Sequence, residues 1–350
     1  MVITLRTDAG QAEIDRIRER AESLGLRTFL TRGESRTIIA CVGVVEPAHQ
    51  ELMGGLSGVE SVVRISKPWR LAGRAAAAGA TVVRAGDGPG ARVGGRELAV
   101  IAGPCSVEGA AMLRETALAV RAAGAGMLRG GAFKPRTSPW AFCGLGREAL
   151  ELLAEVRRET GLPVVTEVMD TRQVDLVAGH ADVLQVGARN MQNYALLQEL
   201  GRIQRPVLLK RGLAATVTEL LLAAEHILAH GNRDVILCER GIRTFETATR
   251  NTLDVAAVAV LKEETHLPVI VDPSHAGGKA ELVAPLAFAA VAAGADGLIV
   301  EVHPRPAEAL SDGEQSLAPD GFAALMARLR PFAEAAGRTL AEPPAAREAA

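Results

Sequence analysis

The chain is predicted to be an α/β protein, a (β/α)8 barrel preceded by a small βαββαβ ferredoxin-like domain. Three observations point there. After residue 97, eight short apolar runs with β character recur at fairly regular spacing, with helix-patterned stretches between them. The first 68 residues instead alternate strand and helix patterns in the order βαββαβ. Hydrophobic residues make up 48% of the 350 and aromatics 3%, so the core must be built from Ala, Val, Leu and Ile, which suits α/β layers better than a sandwich.

In chain order, the N-terminal unit reads "VITLRT", a helix from Ala9 to Leu24, "LRTFLTR", "RTIIACVGVV", a helix around Pro47 to Leu56, and "VESVVRIS". Gly25 and Gly58 stand just past the two helices, as C-terminal caps do. A unit of this fold serves either as a small-molecule sensor or as an interface module, and fold alone does not choose between them. From Arg70 to Gly95 the composition turns to Ala, Gly and Arg, so residues 69–96 read as a linker with a short hairpin through "TVVRAG" and "RELAVI". The domain boundary lies here, residues 1–68 being the ferredoxin-like domain and 97–340 the barrel, with the tail "AEPPAAREAA", 341–350, expected to be disordered.

The eight runs are "LAVIAGPC", "GMLRGGAF", "PVVTEV", "DVLQVGA", "PVLLKRG", "DVILCERG", "PVIVDPSH" and "GLIVEVH". Helices are expected between them, for instance over Ala110 to Ala123, Arg147 to Thr160, Val217 to Ala229, Phe245 to Glu264 and Ala280 to Ala293. Strands apolar on both faces suit a parallel sheet covered by helices, and the pairs fill a barrel of about 240 residues. An open doubly wound sheet is the alternative. The barrel is favoured because every run turns polar at its carboxyl end, where barrel active sites are built.

A net charge of −2 argues against a generic nucleic-acid or anionic-membrane surface, while leaving room for a local basic pocket. No run of 18 apolar residues occurs and the first residues lack a signal-peptide pattern, so the expected location is the cytoplasm, with neither membrane nor nucleic acid as partner. Cysteines at 41, 105, 143 and 238 show no CxxC spacing and read as free thiols.

The strand ends carry the chemistry. Six cations, Arg129, Lys134, Arg136, Arg189, Lys210 and Arg240, would converge on one face of the barrel. They would repel one another unless anions sat between them, so the pocket suits a substrate bearing two phosphates and a carboxylate. For any single cation the alternative is a solvated or ion-paired role, such as Glu239 pairing with Arg240. A second group is Cys105, His275, Glu301 and Asp312, because a closed barrel places strand 1 beside strand 8 and strand 8 beside strand 7. Thiolate, imidazole and two carboxylates suit Mn, Fe, Co or Zn rather than Mg or Ca. Each also has a plainer reading: Cys105 as a packed thiol, His275 as a cap, Glu301 as an ion-pair partner. The remaining cysteines read as core or inert, Cys143 as the exposed one. His49, His180, His226, His230 and His266 read as surface or capping residues, and His303, on the same side of its strand as Glu301, as support for the ligands.

"AGPCSVEG", "RGGAFKPRTSP", "GARN", "LLKRG", "CERG", "DPSHAGGK" and "VEVHP…ALSDGEQSL", in this order, resemble the 3-deoxy-D-arabino-heptulosonate 7-phosphate (DAHP) synthases, and in particular the type I beta group. Some members of that group carry an N-terminal ferredoxin-like domain. The resemblance implies condensation of phosphoenolpyruvate with erythrose 4-phosphate and release of phosphate, at the head of the shikimate pathway. It implies Cys105, His275, Glu301 and Asp312 as metal ligands, manganese first among the ions, with iron, cobalt or zinc as alternatives. Phosphoenolpyruvate would be held by Arg129, Lys134, Arg189, Lys210 and Arg240, and erythrose 4-phosphate by Pro135, Arg136 and Thr137. Lys134, Glu167 and His275 form the implied catalytic set, Lys134 donating a proton to the aldehyde oxygen and Glu167 positioning water. A homotetramer and an aromatic amino acid effector, tyrosine or phenylalanine, are implied as well. The rival is the sister synthase acting on arabinose 5-phosphate, whose pattern resembles "KANRSS" where this chain has "KPRTSP".

Overall fold

The computed structural model describes residues 1–33, 36–64, 67–86, 90–136 and 138–343. Thr137 and the tail residues 344–350 therefore lie outside the described residues. Two compact units are present, Met1–Thr81 with Glu263–Leu267, and Val82–Lys262 with Pro268–Ala350.

The first unit holds β1 (Val2–Leu5), α1 (Gln11–Ser23), β2 (Arg27–Arg32), β3 (Thr37–Val42), α2 (Pro47–Gly54) and β4 (Val59–Val63), the βαββαβ order. Its sheet runs β2-β3-β1-β4, antiparallel throughout. Alternate residues Ile3 and Leu5 of β1, Ile14, Ile17 and Ala21 of α1, and Ile39 and Cys41 of β3 meet in one core. Burial there pushes the Cys41 thiol up to about 11, in keeping with an inert core residue. Gly25 takes a positive φ of 78° directly after the cap of α1, whereas α2 is capped by Gly55 and Gly58, at φ 86°, stands in the turn leading into β4. His266 differs from its surface reading: Nε2 bonds Leu71 O and Nδ1 bonds Thr81 Oγ1, each at 2.7 Å. The neighbouring Thr265 hydroxyl donates to Ala72 O.

The second unit opens with an antiparallel hairpin, β5 (Val83–Ala85) and β6 (Ala91–Val93). Eight parallel strands follow: β7 (Glu97–Gly103), β8 (Met127–Arg129), β9 (Val164–Glu167), β10 (Val183–Val186), β11 (Val207–Lys210), β12 (Val235–Glu239), β13 (Val269–Val271) and β14 (Gly297–Glu301). Each pairs with the next and β14 pairs with β7, which closes the barrel; a short strand, β15 (Thr339–Leu340), pairs beside the start of β7. The helices are α3 (Ala110–Ala122), α4 (Arg147–Thr160), α5 (Val174–Ala178), α6 (Tyr194–Leu200), α7 (Val217–Leu228), α8 (Val255–Glu264), α9 (Pro273–Gly277), α10 (Ala280–Ala292) and α11 (Pro319–Ala335). Among the described residues no helix is long and apolar enough to cross a membrane.

One expected helix is shortened. The pattern from Phe245 to Glu264 becomes helical only at Val255, where Asp254 Oδ1 accepts from Ala257 N. Upstream, the Glu246 carboxylate takes the amides of Thr247 and Ala248, and Thr252 bridges back to Ile242. These local bonds compete with helix formation and leave 245–254 as a loop.

Inside the barrel the period of two sorts the side chains into layers. Ala99, Ile101, Met127, Val165, Val183, Leu208, Ile236, Ile270 and Ile299 form one apolar cluster, and Val83, Ala85, Ala91 and Val93 of the hairpin belong to it. Two residues further along, six of the eight inward positions become polar, Arg129, Glu167, Gln185, Lys210, Asp272 and Glu301, while β7 has Gly103 and Cys238 of β12 still belongs to the apolar cluster. The apolar layer is thus a floor on which a polar layer stands. Replacing Met127, fully buried in that floor, by Ala should lower the free energy of unfolding by about 2–5 kcal/mol. By contrast, Arg92→Ala on the exposed face of the hairpin should stay within about 0.5 kcal/mol. Denaturant midpoints of the two variants make the comparison, and equal midpoints would contradict the layering.

Candidate active site

The closing register places Glu301 opposite Gly103, two residues before Cys105, and α9 carries His275 on the turn after β13. One donor atom from each of Cys105, His275, Glu301 and Asp312 lies within 4.8 Å of every other. The Cys105 thiol donates to Asp312 Oδ2 at 2.9 Å, and His275 Nε2 stands 3.5 Å from Glu301 Oε1 and 4.0 Å from Asp312 Oδ2.

His275 is oriented by Asp272. The Asp272 carboxylate caps α9 by accepting from His275 N at 2.9 Å, and its Oδ2 lies 2.8 Å from Nδ1. With Nδ1 so engaged, Nε2 is the nitrogen with a lone pair to offer. Burial lowers the His275 pKa, against the opposing pull of Asp272 and Glu301. Asp272 lies well below the usual carboxylate range: burial acts to raise it, but His275 and Lys210 outweigh that. Lys210 Nζ donates to the same Oδ2. Glu301, fully buried, is brought down to about 2 because His275 and Arg129 outweigh its burial. Cys105 is pushed up to about 12 by burial and by Glu301. A thiol, an imidazole and two carboxylates so close together fit a divalent transition ion, which would displace the thiol proton.

Beside this group lies a cavity of about 420 Å³. Its walls include all six cations named from the sequence and also Arg243 and Arg250. Arg129 is buried, with Nη1 2.5 Å from Glu301 Oε1. Lys134 Nζ is 2.8 Å from the Cys105 sulfur, and burial, which would lower its pKa, is outweighed by Cys105 and Glu301. Glu239 pairs with Arg211 at 2.9 Å, not with its sequence neighbour Arg240. Arg240 instead points to the carbonyls of Gly241 and His275, both at 3.4 Å, and burial lowers its pKa. Pro135 and Arg136 line the cavity, whereas Thr137 is outside the described residues.

Two glycines permit the close approaches. A Cβ on Gly131 would meet Cys105 O at 2.6 Å, and one on Gly187 would meet Glu167 Oε1 at 2.1 Å. That Glu167 oxygen is buried and has no hydrogen-bond partner among the described residues, and burial raises the pKa of its carboxyl. His303, expected to support the group of four, has other partners: Arg305 N donates to its Nδ1 and Glu108 Oε2 lies 3.4 Å from its Nε2. Among the other cysteines Cys143 is exposed, while Cys238 is buried in the barrel core.

Several residues at the site escaped the sequence reading. Gln185 lines the cavity, and its Nε2 lies 3.4 Å from Glu167 Oε2. A lone Gln inside "DVLQVGA" was the available signal, since an unpaired amide is costly in a strand buried on both faces. Arg250 and Asn251 fall in the stretch that the sequence assigns to a helix, and Gln315 reaches Glu301 from the loop after β14. Nothing in the local pattern marks these three.

The chain matches the DAHP synthetase I family over residues 82–334 and the DAHP synthase ferredoxin-like domain over residues 1–67. It is 47% identical over 337 residues to a phospho-2-dehydro-3-deoxyheptonate aldolase of Thermotoga maritima, covering 96% of this chain and 99% of that one. A crystal structure of the Thermotoga maritima DAHP synthase superposes with a TM-score of 0.77 at 46% identity, covering 97% of this chain and 99% of that chain. A 2-dehydro-3-deoxyphosphooctonate aldolase of Acidithiobacillus ferrooxidans is 36% identical over 234 residues, covering 61% of this chain and 82% of that one. Matched over most of its barrel and over its N-terminal unit, the chain belongs to the DAHP synthetase I family.

Proposed function

We propose that the chain condenses phosphoenolpyruvate with D-erythrose 4-phosphate and water to give DAHP and inorganic phosphate, the step that leads through the shikimate pathway to aromatic amino acids. The observation that carries this reading is the junction of a cavity lined by eight cations with a thiol, imidazole and carboxylate cluster. Two phosphates and one carboxylate answer those cations.

Cys105, His275, Glu301 and Asp312 would hold a divalent ion, manganese first and iron, cobalt or zinc as alternatives. When bound, that ion supplies Lewis-acid polarisation of the aldehyde. Arg129, Lys134, Arg189, Lys210 and Arg240 hold the phosphate and carboxylate of phosphoenolpyruvate, so that its C3 faces the aldehyde carbon. Pro135, Arg136 and Thr137 take the phosphate end of erythrose 4-phosphate. C3 attacks the aldehyde carbon and Lys134 gives a proton to the aldehyde oxygen. Water then adds at C2 of phosphoenolpyruvate. Glu167, whose carboxyl is shifted upward by burial, orients that water and takes its proton. The C2–O bond to phosphate breaks as the C2 hydroxyl proton passes to the departing phosphate, leaving the 2-keto group and free phosphate. His275 acts as an oriented ligand throughout.

Phosphate release measured with erythrose 4-phosphate and with arabinose 5-phosphate separates this reading from the sister synthase; preference for the five-carbon sugar would overturn it. Cys105→Ala should lose both bound metal and turnover, and wild-type turnover should vanish in chelator and return with added metal. Full turnover of that variant in chelator is the contrary result. Arg136→Ala should raise KM for erythrose 4-phosphate about 10–100-fold through loss of a charge-assisted contact while leaving metal content unchanged. An equal rise in KM for phosphoenolpyruvate alone would misplace the aldehyde site.

Residues 1–68 are proposed as a regulatory domain that binds tyrosine or phenylalanine, joined through 69–96 to a barrel over 97–340, in a cytoplasmic homotetramer. The ferredoxin-like match supports the domain, and the match to a truncated form of the Thermotoga maritima synthase, 98% covered at a TM-score of 0.72, supports a barrel that stands alone. Removal of residues 1–68 should leave turnover and abolish inhibition; inhibition that persists would put the effector elsewhere.

A further inference from the structure

We infer that Arg250 and Gln315 form a clamp that sets the two carboxylates of the ligand group, and that affinity for the ion depends on it. The inference rests on the reading of Cys105, His275, Glu301 and Asp312 as metal ligands.

Each carboxylate divides its two oxygens between the clamp and the ligand group. Asp312 Oδ1 accepts from Arg250 Nη1 at 2.8 Å, while Oδ2 takes the Cys105 thiol. Glu301 Oε2 accepts from Gln315 Nε2 at 2.5 Å, while Oε1 faces His275 Nε2 and Arg129. Arg250 Nη1 also donates to Gln315 Oε1 at 2.7 Å, which joins guanidinium, amide and both carboxylates in one chain of hydrogen bonds. The direction of that chain fixes the Gln315 amide. Turned over, it would set its NH2 against the guanidinium and its oxygen against the Glu301 carboxylate, both repulsive.

Backbone geometry adds a second observation. Asp312 has φ 51° and ψ 36°, and it is the one non-glycine with positive φ among the described residues. An Asp tolerates this conformation, but at a cost that the surroundings must offset. Arg250 provides such a tie from the β12–α8 loop to the loop after β14. With Gln315 buried below and Arg250 half exposed above, neither carboxylate can rotate freely, and each presents one oxygen to the ion. Arg250 and Gln315 are therefore positioning residues, since they act through Glu301 and Asp312.

The test uses the full chain stripped of metal. Cobalt(II) is titrated by calorimetry, and the thiolate-to-cobalt absorption reports ligation by Cys105. Arg250→Met and Gln315→Met should each weaken cobalt binding about 10–100-fold and alter the cobalt absorption, with Arg250→Lys in between. Unfolding midpoints of the metal-free variants identify those that fold; if Gln315→Met does not, the half-exposed Arg250 carries the same comparison by itself. Folded variants that bind cobalt with wild-type affinity and spectrum overturn the clamp alone. A wild-type chain that binds no cobalt removes the ligand assignment, and the clamp with it.

Discussion

Between β14 and β7, Glu301 pairs with Gly103, and the chemistry of the protein hangs on that parallel register. It joins the last strand of the barrel to the first and so brings Cys105 within hydrogen-bonding distance of Asp312, 207 positions later. A shift of one residue would turn Glu301 outward, because inward and outward positions alternate along a strand. The register is secured from below. Ile299 and Ile101 sit in the apolar floor, so the hydrophobic layer that stabilises the barrel also decides which polar side chains face inward.

On that floor stands a layer of buried charge, and its arrangement follows from the cost of burying ions without partners. Arg129 is paired with Glu301, Lys210 with Asp272, and Arg211 with Glu239. Lys134 rests against the Cys105 sulfur. Asp272 serves two groups at once, His275 and Lys210, and thereby links the ligand cluster to the cation wall. Arg189 and Arg243 line the cavity as well, and the charge of Arg189 acts on Glu167. The buried charges are thus held in place by partners within the protein, an arrangement that suits electrostatic pre-organisation.

Loops complete what strands begin. Strand β14 supplies Glu301, the loop after it supplies Asp312 and Gln315, and the loop after β12 supplies Arg250. The shortened α8 makes this possible: if 245–254 were helical, Arg250 would follow the helix surface. Local capping by Glu246 therefore has a consequence for the site some distance away.

Much of this was legible in the chain itself. Strand-length apolar runs, their polar carboxyl ends and the βαββαβ order of the first residues define both folds, because the periods of strand and helix are local properties. The strand-end residues Arg129, Glu167, Lys210, Arg240 and Glu301 follow from the same period. What lies in loops does not: Arg250 was hidden in an apparently helical stretch, and the single Gln of "DVLQVGA" carried no role until its inward direction was known. The pairing of Arg211 rather than Arg240 with Glu239 was equally out of reach. The sequence by itself determined which residue types stand at each strand end, since alternation and turn chemistry are written in neighbouring residues. Only the tertiary structure decided which of them meet, because closing the barrel and crossing between loops set distances among residues that share no local pattern.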